Sequence, residues 1–141
     1  MSAADLDAAR RIFAAAPFIA DLGVEPVAVA AGECETQLVL QPRHLQHTGQ
    51  VHAGVVTTMA DHTAGAAAQT LVRGEGFVVT AELKLSLLRP ARGERLICRA
   101  SVLKAGRQLM FTEAEVHCLH HGQSHLVAKL SATMAVATPK E

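Results

Sequence analysis

Apolar positions along this chain follow two periods, and the change from one to the other marks its elements. Residues 4–15 read as a short helix with Leu6, Ile12 and Phe13 on its buried side. Asp5 and Asp7 lie in its first turn and Arg10 and Arg11 further along, which suits the helix dipole, and Pro17 ends it. Residues 23–31 and 34–41 read as a hairpin turning at Ala31-Gly32-Glu33. In its second arm Thr36, Leu38 and Leu40 alternate with Gln37, Val39 and Gln41. A polar loop covers 42–52. Residues 53–72 are apolar on nearly every side, which predicts a buried helix, closed by Arg73 and Gly74.

Four long strand patterns follow, 77–89, 94–105, 108–120 and 124–137, joined by hairpin-sized connections. An antiparallel meander is the expectation. Leu96, Cys98, Ala100 and Val102 alternate with Arg95, Arg99 and Ser101, as a strand with one buried face requires. The inventory predicts an α+β domain spanning 1–141. It has a short N-terminal helical segment (1–18) and a long central helix (53–72) laid on the concave face of a curved antiparallel sheet of about six strands. One sheet face cannot cover a helix that is apolar all round. Wrapping by the sheet and burial against a second copy of the chain are both expected.

Composition narrows the function. The chain has 141 residues, half of them hydrophobic, and a formal net charge of zero. It therefore has little generic attraction for nucleic acid or anionic membrane. With no Trp or Tyr and only four Phe it lacks stacking platforms for single strands. No apolar run is long enough to span a bilayer. Acids stand near the N-terminus where a secretion signal carries lysine or arginine, and three cysteines are an odd number for a disulfide framework. A cytoplasmic protein with reduced thiols is expected. Eight histidines form two groups, yet neither has a compact ligand motif, so no metal and no cofactor are expected.

The candidate chemistry sits in 46–64. Asp61 lies two turns inside the apolar helix, where a charge is costly unless paired, hydrogen-bonded or chemically employed. Ala53 and Gly54 open the same helix, where backbone N–H groups lack intrahelical partners and favour an anion, as in an oxyanion hole. Ala53 and Asp61 are eight residues apart, about 12 Å along the axis. Catalytic contacts need about 3 Å. If both groups act on one substrate they come from two subunits with antiparallel helices, which makes an obligate dimer. Gln46 is placed to orient a water or a carbonyl, and His52 to steady the substrate or the loop. His47, His62 and Thr80 complete the polar set.

At these residues the chain resembles the hotdog-fold acyl-CoA thioesterases of the PaaI-like branch. Their N/Q-x-x-G-x-x-H-G-G-x-x-x-x-x-x-D/E pattern is matched in register by Gln46, Gly49, His52, Ala53, Gly54 and Asp61, with Ala53 in place of the first glycine of the pair. The resemblance extends through 79–91 and Gly106-Arg107, and covers roughly 20–137. It implies hydrolysis of an aromatic or short- to medium-chain acyl-CoA by a homodimer, assembled as a dimer of dimers. In that reading Asp61 is base or nucleophile, and the Ala53 amide polarises the thioester carbonyl. Gln46 holds the carbonyl or the water, and His52 orients the thioester beside Gly54. Thr80 matches a position where some relatives carry a serine that assists the water. Arg89, Arg92 and Arg107 are candidate contacts for the phosphates of CoA. Two other readings compete: a non-catalytic acyl-CoA-binding module, and a hotdog dehydratase using His52 and Asp61.

Overall fold

The computed structural model describes residues 3–139; Met1, Ser2, Lys140 and Glu141 lie outside the described residues. Its elements are α1 (Ala3–Ala15), α2 (Pro17–Leu22), β1 (Glu25–Ala30), β2 (Glu33–Val39), α3 (Ala53–Gln69), β3 (Phe77–Leu87), β4 (Arg95–Ala105), β5 (Leu109–His120) and β6 (Gln123–Ala137). The α+β expectation holds: six antiparallel strands form one sheet and α3 packs against five of them. Pro17 does end the first helix, but it also starts another. It occupies the first position of α2, where a proline costs no hydrogen bond, and Gly23 closes that helix at φ 98°. The central helix stops at Gln69, three residues short of expectation, with Thr70 as its cap.

The expected four-strand meander is corrected. The strand order is β1-β2-β4-β5-β6-β3, so β4, β5 and β6 form a meander while β3 pairs with β6, away from β4. The connection 88–94 therefore crosses the end of the sheet. On its way the Leu88 N–H bonds the Val127 carbonyl of β6 and the Glu94 N–H bonds the Leu119 carbonyl of β5. Pro90 has no N–H to offer a hairpin ladder. Gly93 passes so close to β5 that an added Cβ would lie 2.1 Å from the Leu119 carbonyl oxygen. That is why this stretch reads as a turn in the sequence yet serves as a crossover.

The core lies between α3 and the sheet. Met59, Ala60, Ala64, Ala67 and Ala68 are fully buried, and the alanines let the helix axis approach the strands. Leu38, Leu96, Val116, Leu130 and Met134 meet them from the sheet. One buried polar pair joins the layers, Thr36 Oγ1 to Thr63 Oγ1 at 2.7 Å. Thr63 already donates to the Met59 carbonyl, so Thr36 is the donor. The opposite face of α3, with Thr58, Asp61, Gly65 and Gln69, is only half-buried. The outer edge of β3 pairs with no strand among the described residues, and Val79, Leu83 and Leu87 on that strand are 47, 39 and 56% exposed.

Candidate active site

The loop before α3 is tied down from below. His44 is buried. Its Nε2 donates to the Leu22 carbonyl at 2.8 Å and its Nδ1 accepts the Gln41 N–H at 3.0 Å. Arg43 reaches the Asp21 and Leu22 carbonyls at the end of α2. No local sequence signal marks His44 for this role, which is to fasten the loop. Gly49 adopts φ 88° and donates to the Gln46 carbonyl, and Val51 bonds Ala91 of the crossover.

From this anchored loop His52 caps α3. Its Nδ1 accepts the Gly54 N–H at 2.8 Å, so in the neutral ring the proton sits on Nε2, which is left as a donor. A side chain at 54 would meet the His52 ring at 3.0 Å, which favours glycine there. The Ala53 N–H has no partner among the described residues. Ala53 is not among the residues with positive φ, so alanine fits this position without strain and leaves its amide available at the positive end of the helix. Gln46 is half-buried, with Nε2 on Thr48 Oγ1 at 2.7 Å. It shares with Ala53, Leu88 and Val127 a cavity of about 420 Å3.

Asp61 lies two turns further along. Its carboxylate is half-buried and accepts the Thr80 hydroxyl of β3 at 2.7 Å. The two line a larger, mostly apolar cavity of about 720 Å3 between α1 and α3. Neighbouring His62 meets Phe13 edge-on with ring centroids 4.4 Å apart, and its Nε2 is buried without a hydrogen-bond partner among the described residues. Burial holds this histidine below its ordinary value of 6.5, against the opposing pull of the Asp61 carboxylate. Gly54 and Asp61 also border a shallow groove of about 510 Å3 beside Phe18.

The structure thus joins Thr80 to Asp61 in one cavity and Gln46 to Ala53 in another, with His52 bonded to Gly54 at the start of the helix. Arg92 reaches the Thr48 carbonyl at 3.4 Å, and Arg89 stands 3.5 Å from His125 Nδ1, both beside the Gln46 loop. Arg107 follows the far end of β4, about 35 Å along an eleven-residue strand, and is not brought together with them. Glu94, His120 and His121 place one ligand atom each within 4.8 Å of one another, but they are exposed and distant in the chain from Asp61.

The thioesterase superfamily model matches residues 48–125, more than half of the chain, a span that includes His52, Ala53, Gly54, Asp61 and Thr80 but not Gln46. The chain belongs to the thioesterase superfamily. A solved structure of a superfamily member, a thioesterase family protein from Silicibacter pomeroyi, is 34% identical with a TM-score of 0.89, covering 92% of this chain and 96% of that one. The phenylacetic acid degradation protein PaaI from Thermus thermophilus, solved as a mutant, is 27% identical with a TM-score of 0.73 over 84% of this chain and 97% of its own. Among curated proteins, the medium/long-chain acyl-CoA thioesterase YigI of Escherichia coli is 28% identical over 135 residues, 85% of each chain. The matches to the first curated relatives span 54 to 64% of those proteins' length. The hotdog architecture and the PaaI-like resemblance hold at the level of family and fold.

Proposed function

We propose that this superfamily member hydrolyses acyl-CoA thioesters at a site shared by two subunits. The observation that carries the reading is Asp61, a half-buried carboxylate oriented by Thr80 on the wall of an apolar cavity. It is supported by an unpartnered Ala53 amide at the helix start. The two lie too far apart on one helix to touch one carbonyl. The edge of β3 and its exposed Val79, Leu83 and Leu87 support pairing with a second copy across a two-fold axis. That would set the partner's α3 antiparallel to this one and bring its Ala53 amide to this Asp61. Further association into a dimer of dimers belongs to the same reading.

In the reaction so assembled, the thioester oxygen accepts the Ala53 N–H, and the His52 Nε2–H and Gln46 hold the thioester and the water. Asp61 either takes a proton from the attacking water or attacks the carbonyl carbon itself. The tetrahedral intermediate collapses and the C–S bond breaks. On the base route CoA leaves as the thiol with the proton Asp61 took from water. On the nucleophile route CoA leaves as the thiolate, and water then hydrolyses the Asp61 acyl anhydride, freeing the acid, restoring the carboxylate and giving its proton to the thiolate. Arg89 and Arg92 border the Gln46 loop, where they can contact the CoA phosphates. The chemistry needs water and no cofactor. The three buried free cysteines support a reducing, cytoplasmic setting.

Release of CoA thiol from an acyl-CoA panel by wild type and Asp61→Asn tests the reading. Hydrolysis by wild type and its loss in a folded Asp61→Asn dimer are expected. Binding without hydrolysis by wild type would sink it in favour of a ligand-binding module.

A further inference from the structure

Gly65 is the least explained residue of α3. It sits inside a helix, where glycine is less favourable than alanine by about 1 kcal/mol. It has no positive φ, and a Cβ built on it meets nothing within 4 Å. Neither backbone strain nor close packing therefore accounts for the missing side chain. Position 65 is one turn beyond Asp61 on the same face of the helix, and Gln69 follows one turn later. All three line the cavity of about 720 Å3. Ile12 and Phe13 of α1, Val29 of β1, Val78 of β3 and Met134 of β6 close over it. Ile12 is 60% exposed although it faces this space.

The far end is stopped by polar groups that are already satisfied. The Gln69 amide donates to the Gly76 carbonyl and accepts the Val78 N–H, both at 3.1 Å. The Thr70 hydroxyl accepts the Gly32 N–H at 2.7 Å and donates to the Ala67 carbonyl. They offer little to a polar substituent, and Ala8, Ala9, Ile12, Val29, Val78 and Met134 offer methyl and methylene surface, with Asp5 and His62 as further polar groups in the lining.

We propose that this cavity takes the acyl chain of the substrate, that the chain is an unbranched aliphatic one, and that Gly65 is left without a side chain to let it pass. The proposal rests on the thioesterase reading and adds the substrate class. A thioester carbonyl held at Asp61 starts the chain one turn before Gly65. From Asp61 to Gln69 is about 12 Å of helix, and an extended chain advances about 1.2 Å per bond, so acyl groups of about 8–12 carbons fill the cavity. Volume agrees, since a cavity of about 150 Å3 already admits benzene and this one is several times larger.

The test is kcat/KM for straight-chain acyl-CoAs from butanoyl to hexadecanoyl, and for phenylacetyl-CoA, with wild type, Gly65→Ala and Gly65→Leu. Wild type should prefer chains of about 8–12 carbons over phenylacetyl. The decanoyl-to-butanoyl ratio should fall roughly sixtyfold in Gly65→Leu, because the added isobutyl group displaces about three methylenes worth about fourfold each. Gly65→Ala should fall between, and neither variant should melt below wild type. An unchanged ratio in a folded Gly65→Leu, or a wild-type preference for phenylacetyl, overturns the proposal. If wild type hydrolyses none of these thioesters, the hydrolase reading fails by itself. Calorimetry with the thioethers S-decyl-CoA and S-butyl-CoA then still decides the cavity. Decyl affinity lost selectively in Gly65→Leu supports it, and equal losses overturn it.

Discussion

Exchanging Ala53 for proline removes one hydrogen atom from the proposed oxyanion hole and almost nothing else. Position 53 is the first residue of α3, where proline is tolerated, and its N–H bonds no group among the described residues. The residue before a proline must be extended, and His52 already has φ −63° and ψ 137°. The fold should therefore survive Ala53→Pro. Losing an oxyanion donor should cost about 10²–10³ in kcat. Asp61→Asn should be similarly inactive. Their mixture is the informative sample. If each site takes Asp61 from one subunit and the Ala53 amide from the other, co-refolding equal amounts of the two inactive variants repairs some sites. A site is intact when its Asp61 comes from the Ala53→Pro chain and its amide from the Asp61→Asn chain. Random two-fold pairing makes about one quarter of all sites so, whatever the higher assembly. Thiol release from the mixture should recover to about 25% of wild type, far above either parent. A mixture no better than the average of its parents would place both groups in one subunit and refute the argument from the 12 Å separation.

Thr80→Val removes the donor to Asp61 and should lower kcat by roughly tenfold or more, as for a hydrogen bond to a charged group, with stability little changed; an unchanged kcat would separate Thr80 from the chemistry. His62 is held below 6.5 by burial, so the unfolded chain binds its proton first as pH falls. Its contribution is complete above about 6.5 and is lost below it. The urea midpoint of wild type should thus fall between pH 7.5 and 5 more than that of His62→Phe, and equal slopes would contradict the assignment. Gly93→Ala drives a Cβ into the Leu119 carbonyl and should cost about 1–3 kcal/mol or prevent folding; a melting temperature equal to wild type would reject the close crossover. Burial, then the Glu35 carboxylate, pushes Cys34 up to about 12, and burial pushes Cys98 to about 12 against a Thr63 hydrogen bond. Neither thiol should react with a disulfide reagent at pH 8 until the protein is unfolded, and prompt reaction of either would contradict its burial.

The first helix, the presence of the central helix and the strand faces are legible in the sequence because each depends on a local period, whereas six-residue α2 is too short to show one. Leu96, Cys98 and Ala100 alternate with exposed Arg95 and Arg99 in the strand as they do in the sequence. The pairing partner of β3 was not legible. Both a hairpin and a crossover begin with a proline-containing turn, and what distinguishes them here is contact between Gly93 and Leu119, 26 positions apart. The site was half legible. The spacing from Gln46 to Asp61 picked out the loop and the helix, but Thr80 reaches Asp61 only because β3 crosses to the β6 side of the sheet. The anchoring role of His44 and the open face of Gly65 have no local signature, since both are defined by what lies opposite them in space.

These two silent features bear on one question, how a helix apolar on nearly all sides can carry the proposed catalytic carboxylate. The sheet covers the face with Met59, Ala60, Ala64, Ala67 and Ala68, where alanine allows close approach. The other face could have been closed by larger side chains on α1, and Phe13 does close part of it. At Asp61 and Gly65 it stays open, and the opening continues into an apolar cavity. Apolar residues around Asp61 therefore serve two ends. Toward the sheet they hold the helix in place. Toward α1 they leave a lined space, and the proposed acyl chain in it would displace bulk water beside the carboxylate and strengthen its interaction with the thioester. An occupied cavity should accordingly raise kcat as well as lower KM as the chain lengthens toward about ten carbons, because burial of the tail is used to order and desolvate the reacting end. A series in which only KM changes with chain length would mean that the tail binds without that coupling.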